Sequence, residues 1–200
     1  MGTIFIEGPA GPLEASFEGG NGAAAVLAHP HPQMGGTMHD AVLDTAARQL
    51  LERDIACLRF NFRGAGASAG QYDNGDGERD DLRAALQWLT AQAEGPLTFV
   101  GYSFGSWVGT RVIEEDAADL AHVMLIAPPI GMMSYPDLAT SAQIDVFAGT
   151  ADQYVDLDAA RTWADRNGAT VHSIEGADHF FGGHWDALGA AIAGALDDRT

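Results

Sequence analysis

The segment Gly101-Tyr102-Ser103-Phe104-Gly105 sets a serine between two glycines, where the apolar run Leu97–Tyr102 gives way to a stretch of helical periodicity. That placement suggests nucleophilic chemistry. A turn too tight for side chains at 101 and 105 would lift the Ser103 hydroxyl above the strand, and the N-terminus of the next helix favours negative charge there. A serine hydroxyl needs a base, and histidine suits because it takes and returns a proton near neutral pH. The seven histidines are His29, His31, His39, His122, His172, His179 and His184. The base in turn needs an orienting acid. Asp152 follows the apolar run Ile144–Ala148, and Asp178 adjoins His179. Neighbouring side chains of an extended segment point apart, so Asp178 is poorly placed to grip the next imidazole. It is expected to cap its turn through nearby backbone N–H groups. Asp156 and Asp158 read as the start of a helix, where acids suit the dipole.

Longer stretches carry a resemblance. They are His29-Pro30-His31-Pro32 with Gly35-Gly36, Arg59-Phe60-Asn61-Phe62-Arg63-Gly64-x-Gly66-x-Ser68, the serine motif, Gly149-Thr150-Ala151-Asp152, and Gly176-Ala177-Asp178-His179-Phe180-Phe181. Together, over nearly the whole chain, they resemble the α/β-hydrolase superfamily, most closely its small lidless branch related to dienelactone hydrolases and predicted serine esterases. Dienelactone hydrolases carry Cys where this chain has Ser103, so the chain departs from them in its nucleophile. The superfamily's order along the chain is serine, acid, histidine. The resemblance therefore implies Ser103 as nucleophile, Asp152 as orienting acid and His179 as base. His29, His31, His39 and His122 fall outside that order, His172 lies inside a predicted strand, and His184 begins the final helix.

Acyl transfer builds negative charge on a carbonyl oxygen, which backbone donors must meet. One expected donor is the amide of Phe104. The loop after Ala23–Ala28 should supply the other. Pro30 and Pro32 have no N–H, which leaves the His31 backbone, the position where the superfamily also puts this donor. The amides of Met34, Gly35 and Gly36 remain alternatives. His29 and His31 share one side of an extended segment, yet no Cys or third ligand stands at metal-site spacing, so neither a metal nor another cofactor is expected. The stretch Asp73-Asn74-Gly75-Asp76-Gly77-Glu78 lacks the full calcium-loop pattern and reads as a turn capping the next helix. Expected substrate-binding residues are Met34, Met132, Met133, Tyr135, Tyr154, Phe180 and Phe181. No arginine cluster marks a carboxylate or phosphate clamp, and Arg59 and Arg63 are expected to fix the loop after their strand. These residues point to a carboxylesterase acting on small-molecule, short-chain acyl esters. A thioesterase or peptidase-like hydrolase with the same triad is the alternative, and a non-catalytic binding protein on this fold is another.

The elements that must position these residues are visible as patterns. Thr3–Ile6 and Leu13–Phe17 flank Gly8-Pro9-Ala10-Gly11-Pro12 and predict an N-terminal antiparallel hairpin. Buried-strand runs follow at Ala23–Ala28, Ile55–Phe62, Leu97–Tyr102, His122–Ala127, Ile144–Ala148 and Val171–Ile174. Helical stripes lie between most of them: Met38, Val42, Ala46 and Leu50 in a helix over about Thr37–Arg53, then Leu82, Leu86, Leu89 and Ala93. Trp107, Val108, Arg111 and Val112 form a third, and Trp185, Leu188, Ile192 and Leu196 the last. Alternation of this kind predicts an α/β fold: a three-layer sandwich with a mostly parallel sheet, helices on both faces and the ligand at the carboxyl ends of the strands. Only a loop or one short helix fits between Pro128 and Ala142, so no lid domain is expected.

Composition narrows the partners. The 200 residues suit a single domain over 1–200, and 46% hydrophobic content suits a packed core. The formal charge is −18, and all ten basic side chains are arginine. Such a surface repels phosphate backbones and anionic lipids, so no nucleic-acid or membrane partner is expected. The single cysteine, Cys57, sits in an apolar run and is expected to be buried and inert. Neither a signal peptide nor a membrane-spanning stretch is visible, which makes a cytoplasmic enzyme the expectation.

Overall fold

The computed structural model describes residues 2–20, 22–116 and 119–197. Strand β1 (Thr3–Gly8) turns back into β2 (Gly11–Glu18), with Gly11 at φ +114° in the turn. Ile6 faces Leu13 across the hairpin, and both are buried. Five-residue strands β3 (Ala24–Ala28) and β4 (Ala56–Phe60) are buried along their whole length. So is most of β5 (Leu97–Tyr102), β6 (His122–Ile126) and β7 (Gln143–Gly149), whereas β8 (Thr170–Ile174) is an exposed edge. All eight form one sheet in the order β1-β2-β4-β3-β5-β6-β7-β8. The hairpin and the β2–β4 pair are antiparallel, and every other pair is parallel. Continuous apolar runs form the central strands because both their faces are covered.

Strand order decides where the helices go. The chain moves from β3 to β4 in one direction, then reverses and crosses β3 to reach β5. Right-handed crossovers then put α1 (Ala41–Leu51) and α2 (Asp76–Thr90) on opposite faces. The packing agrees: α1 lies against α5 (Trp185–Asp197), and α2 lies against α3 (Phe104–Asp116). Helix α4 (Leu157–Asn167) connects β7 to β8. The segment 127–142 between β6 and β7 contains no helix, so no helical lid covers the sheet edge there.

Several boundaries and faces differ from the sequence expectation for identifiable reasons. Helix α1 starts at Ala41, not near Thr37, because Asp40 caps it, its Oδ1 accepting the Val42 N–H at 2.9 Å. Strand β4 ends at Phe60 rather than Phe62, because the Phe62 amide donates to the His29 ring. On α3, Trp107 and Arg111 are only half-buried and stack on each other at 4.6 Å, while Val108, Val112 and Ile113 are buried. Trp185 is exposed, while Leu188, Ile192 and Leu196 are buried.

Several polar groups inside the fold are paired, although the buried His122 Nδ1 meets no partner among the described residues. Arg63 clamps the fully buried Asp81 at 2.8 and 3.0 Å, fixing the loop after β4, and Arg59 reaches Asp44 on α1. Glu78 is buried and accepts the Asp73 and Gly75 amides at 2.9 and 2.8 Å, so it closes the turn before α2. Asp145 accepts from His122 at 2.7 Å, His172 at 2.6 Å and Gln143 at 2.8 Å, joining β6, β7 and β8. Burial alone would raise its carboxyl, but these donors outweigh it and hold Asp145 well below the usual carboxylate range. Cys57 is buried, and burial pushes its thiol up to about 12, far from the reactive thiolate.

Candidate active site

Ser103 follows β5 at φ +51°, a left-handed conformation that side chains rarely adopt. The two glycines of the motif make this turn possible. A Cβ on Gly101 would stand 2.6 Å from the Ser106 Cα, and one on Gly105 would stand 2.2 Å from the Ala28 carbonyl oxygen. The turn is tied down on both sides. The Ser103 amide donates to Ile126 on β6 at 2.9 Å, and the Ser106 hydroxyl donates back to the Ser103 carbonyl at 2.5 Å. A side chain distant in sequence completes the brace: the Tyr135 hydroxyl lies 2.7 Å from Ser106 Oγ.

Three side chains from three strand ends meet in a hydrogen-bonded line. Ser103 Oγ is 3.0 Å from His179 Nε2, and His179 Nδ1 is 2.8 Å from Asp152 Oδ2. A carboxylate only accepts, so Nδ1 carries a proton, and in the neutral ring Nε2 is left to accept from the serine. Asp152 is itself held: its Oδ1 accepts the Tyr154 amide at 2.7 Å and the Val155 amide at 3.1 Å, and its side chain is fully buried. Gly149 permits the loop before it, since a Cβ there would meet the Ala177 carbonyl oxygen at 2.1 Å. The His179 ring sits edge-on to Tyr154 and Phe180, and its carbonyl accepts the Tyr102 hydroxyl at 3.2 Å. Asp178 stands apart, its Oδ1 accepting the Phe180 and Gly182 amides at 3.1 Å each.

Phe104 and His31 border the same cleft, and their amides meet no acceptor among the described residues. The other amides of the proline loop are occupied. Met34 and Gly36 donate to the His31 carbonyl at 3.0 and 3.1 Å, and Gly35 donates to Pro32 at 3.2 Å. Gly36 has no room for a Cβ, which would lie 2.2 Å from the Pro30 carbonyl oxygen.

His29 anchors this loop. Its ring is fully buried, its Nε2 accepts the Phe62 amide at 2.9 Å, and its Nδ1 donates to the Pro30 carbonyl at 2.6 Å. The His31 ring points elsewhere, to the Tyr72 hydroxyl at 3.1 Å. Burial pushes His29 down to about 4, so it is a neutral bracket across the physiological range. Unfolded, the ring would bind a proton near 6.5, so between that value and about 4 the unfolded state holds more protons. Stability is therefore expected to fall as pH drops through this window, by about 3 kcal/mol from this residue. Histidine NMR checks the cause: the His29 ring should remain neutral until pH approaches 4, and a titration near 6.5 would overturn this account.

The cleft encloses about 290 Å³. Met34, Met132, Met133, Tyr154 and Phe180 line it, as do Pro30, Pro129, Tyr102 and Asp40, which were not among the expected wall residues. Two expected wall residues correct that reading. Tyr135 is buried behind the serine turn against Ser106 and Trp163. Phe181 adopts φ +52°, which turns its ring fully into the core and leaves Phe180 at the cleft. Among the described residues, no three metal-ligating side chains converge, and no helix is long and apolar enough to cross a membrane.

Residues 24–144 match the family model described as serine aminopeptidase, S33. An uncharacterized protein of Rickettsia prowazekii is 32% identical, covering 90% of this chain and 82% of its own length. A lidless α/β serine hydrolase from Xanthomonas campestris superposes with a TM-score of 0.91 at 34% identity, over 98% of this chain and 94% of that one. An α/β serine hydrolase homologue from Coxiella burnetii gives a TM-score of 0.88 at 31% identity, over 98% and 97% of the two chains.

Proposed function

The chain belongs to the serine aminopeptidase (S33) family of α/β hydrolases, in the lidless serine-hydrolase branch, and from that premise we propose that it is a carboxylesterase acting on short acyl esters through an acyl-enzyme. The observation that carries this reading is the unbroken line from Asp152 through His179 to Ser103, with both hydrogen bonds at 3.0 Å or less.

In the proposed reaction Ser103 Oγ attacks the ester carbonyl carbon while His179 Nε2 takes its proton. Asp152 keeps the other ring nitrogen protonated and stabilises the imidazolium. The carbonyl oxygen becomes an oxyanion facing the amides of His31 and Phe104, each such donor contributing about 3–4 kcal/mol to the transition state. His179 then gives its proton to the departing alcohol. A water repeats the sequence on the acyl-enzyme and releases the acid.

The cleft volume supports a short acyl group. About 290 Å³ lies at the lower end for small-molecule sites. A series of p-nitrophenyl esters from acetyl to dodecanoyl tests this. The kcat/KM is expected to peak at butyryl or shorter and to fall at least about tenfold by decanoyl, the scale of a lost apolar contact. A steady rise with chain length would overturn the short-chain assignment. Thioester and aminoacyl amide analogues run beside the esters show whether the same triad favours another acyl bond.

A further inference from the structure

Asp40 is the carboxylate that enters this cleft. It shares the wall with Ser103, His179 and Tyr102, while Met34, Met132 and Phe180 contribute uncharged surface. Neither Arg nor Lys lines the cleft, and no arginine pairs with Asp40 among the described residues. Its Oδ1 caps α1 by accepting the Val42 amide at 2.9 Å, which ties the half-buried side chain to the start of that helix. Burial pushes its carboxyl up despite the Val42 and Leu43 amides, and the charge of Asp44 adds to the rise while His179 opposes it. A half-buried anion without a cation is costly, and a cation supplied by a ligand would offset the cost.

The geometry points to a selector: we propose that Asp40 makes the cleft prefer esters whose alcohol part carries an ammonium group, and disfavour those whose alcohol part carries a carboxylate. The argument for the alcohol side comes from His179. Its Nε2 must deliver a proton to the leaving oxygen, so the alcohol departs past that ring, and Asp40 is an electrostatic neighbour of both His179 and Tyr102. The acyl group remains bound to Ser103 and short, so this inference rests on the esterase reading and adds the charge of the alcohol to it.

The chain's net charge of −18 also attracts cations, but from a distance and through salt. A local substitution separates the two effects. Asp40→Asn removes the charge and keeps a side chain that caps helices equally well, so folding should survive, as a melting curve will show. The substrates are choline butyrate, its uncharged isostere 3,3-dimethylbutyl butyrate, and the butyrate ester of 4-hydroxybutyrate. The unaltered enzyme is expected to favour the choline ester over the isostere by roughly tenfold in kcat/KM, and the anionic ester least, on the scale of one nearby charge. Asp40→Asn should bring the choline-to-isostere ratio to within about twofold of one. A ratio near one in the unaltered enzyme overturns the proposal, as does a preference that persists in Asp40→Asn, which would belong to the net charge. If the isostere and p-nitrophenyl butyrate are hydrolysed with no charge preference, the selector alone fails. If none of these esters is hydrolysed, the esterase reading fails and the selector with it.

Discussion

Ser103→Ala is expected to remove short-ester hydrolysis, lowering kcat by roughly four to six orders of magnitude, with the fold intact. The size follows from the role proposed for the hydroxyl. Without Oγ no acyl-enzyme forms, and only ground-state binding and the backbone donors remain to act on an attacking water. The fold should tolerate the change because the strain at φ +51° is borne by the backbone, and alanine meets the same strain as serine. The turn's supports also survive, since the Ser103 amide to Ile126 and the Ser106 hydroxyl to the Ser103 carbonyl are backbone contacts of residue 103. Turnover of p-nitrophenyl acetate and a melting curve check both halves. Full activity in the variant would refute Ser103 as nucleophile.

The second large effect is expected at Asp152. Asp152→Asn should cost about 10⁴-fold in kcat with little change in structure. Its Oδ1 already accepts two backbone amides, from Tyr154 and Val155, and an asparagine oxygen can keep both. The amide NH₂ would then face His179 Nδ1, which must accept instead of donate. The ring proton moves to Nε2, where it blocks transfer from the Ser103 hydroxyl. Asp178→Asn offers the control. Its Oδ1 contacts are two backbone amides that asparagine can also satisfy, so only a several-fold change is expected. A large loss in Asp178→Asn with none in Asp152→Asn would reverse the assignment of the acid.

Much of this protein was legible locally. The serine motif, the apolar runs and the helical stripes are patterns of near neighbours, and the sheet and helices follow them with shifts of a few residues. The shifts have local causes that a period does not encode. Asp40 takes the cap and moves the start of α1, and the His29 ring takes an amide that would have extended β4. Cleft walls were harder, because a loop side chain points where one or two backbone angles send it. Phe180 and Phe181 are adjacent and chemically identical, yet the positive φ at Phe181 buries it and leaves its neighbour about half exposed. Tyr135 looked like a wall residue, and only its contact with Ser106, 29 positions away, shows it bracing the serine turn.

The sequence by itself determined that this chain forms a mostly parallel α/β sheet with a nucleophile-type serine turn at a strand's carboxyl end. Those features depend on side-chain periodicity and on glycines at particular spacings. Tertiary structure decided which groups meet. His29 and His31 look equivalent in sequence, but one ring is a buried bracket and the other turns toward Tyr72. Asp40 resembles any helix cap until the fold brings it into the wall beside His179. The physical reason is the same in each case: periodicity is set by a residue's neighbours along the chain, whereas hydrogen-bond partners and cleft walls are set by segments the fold brings together.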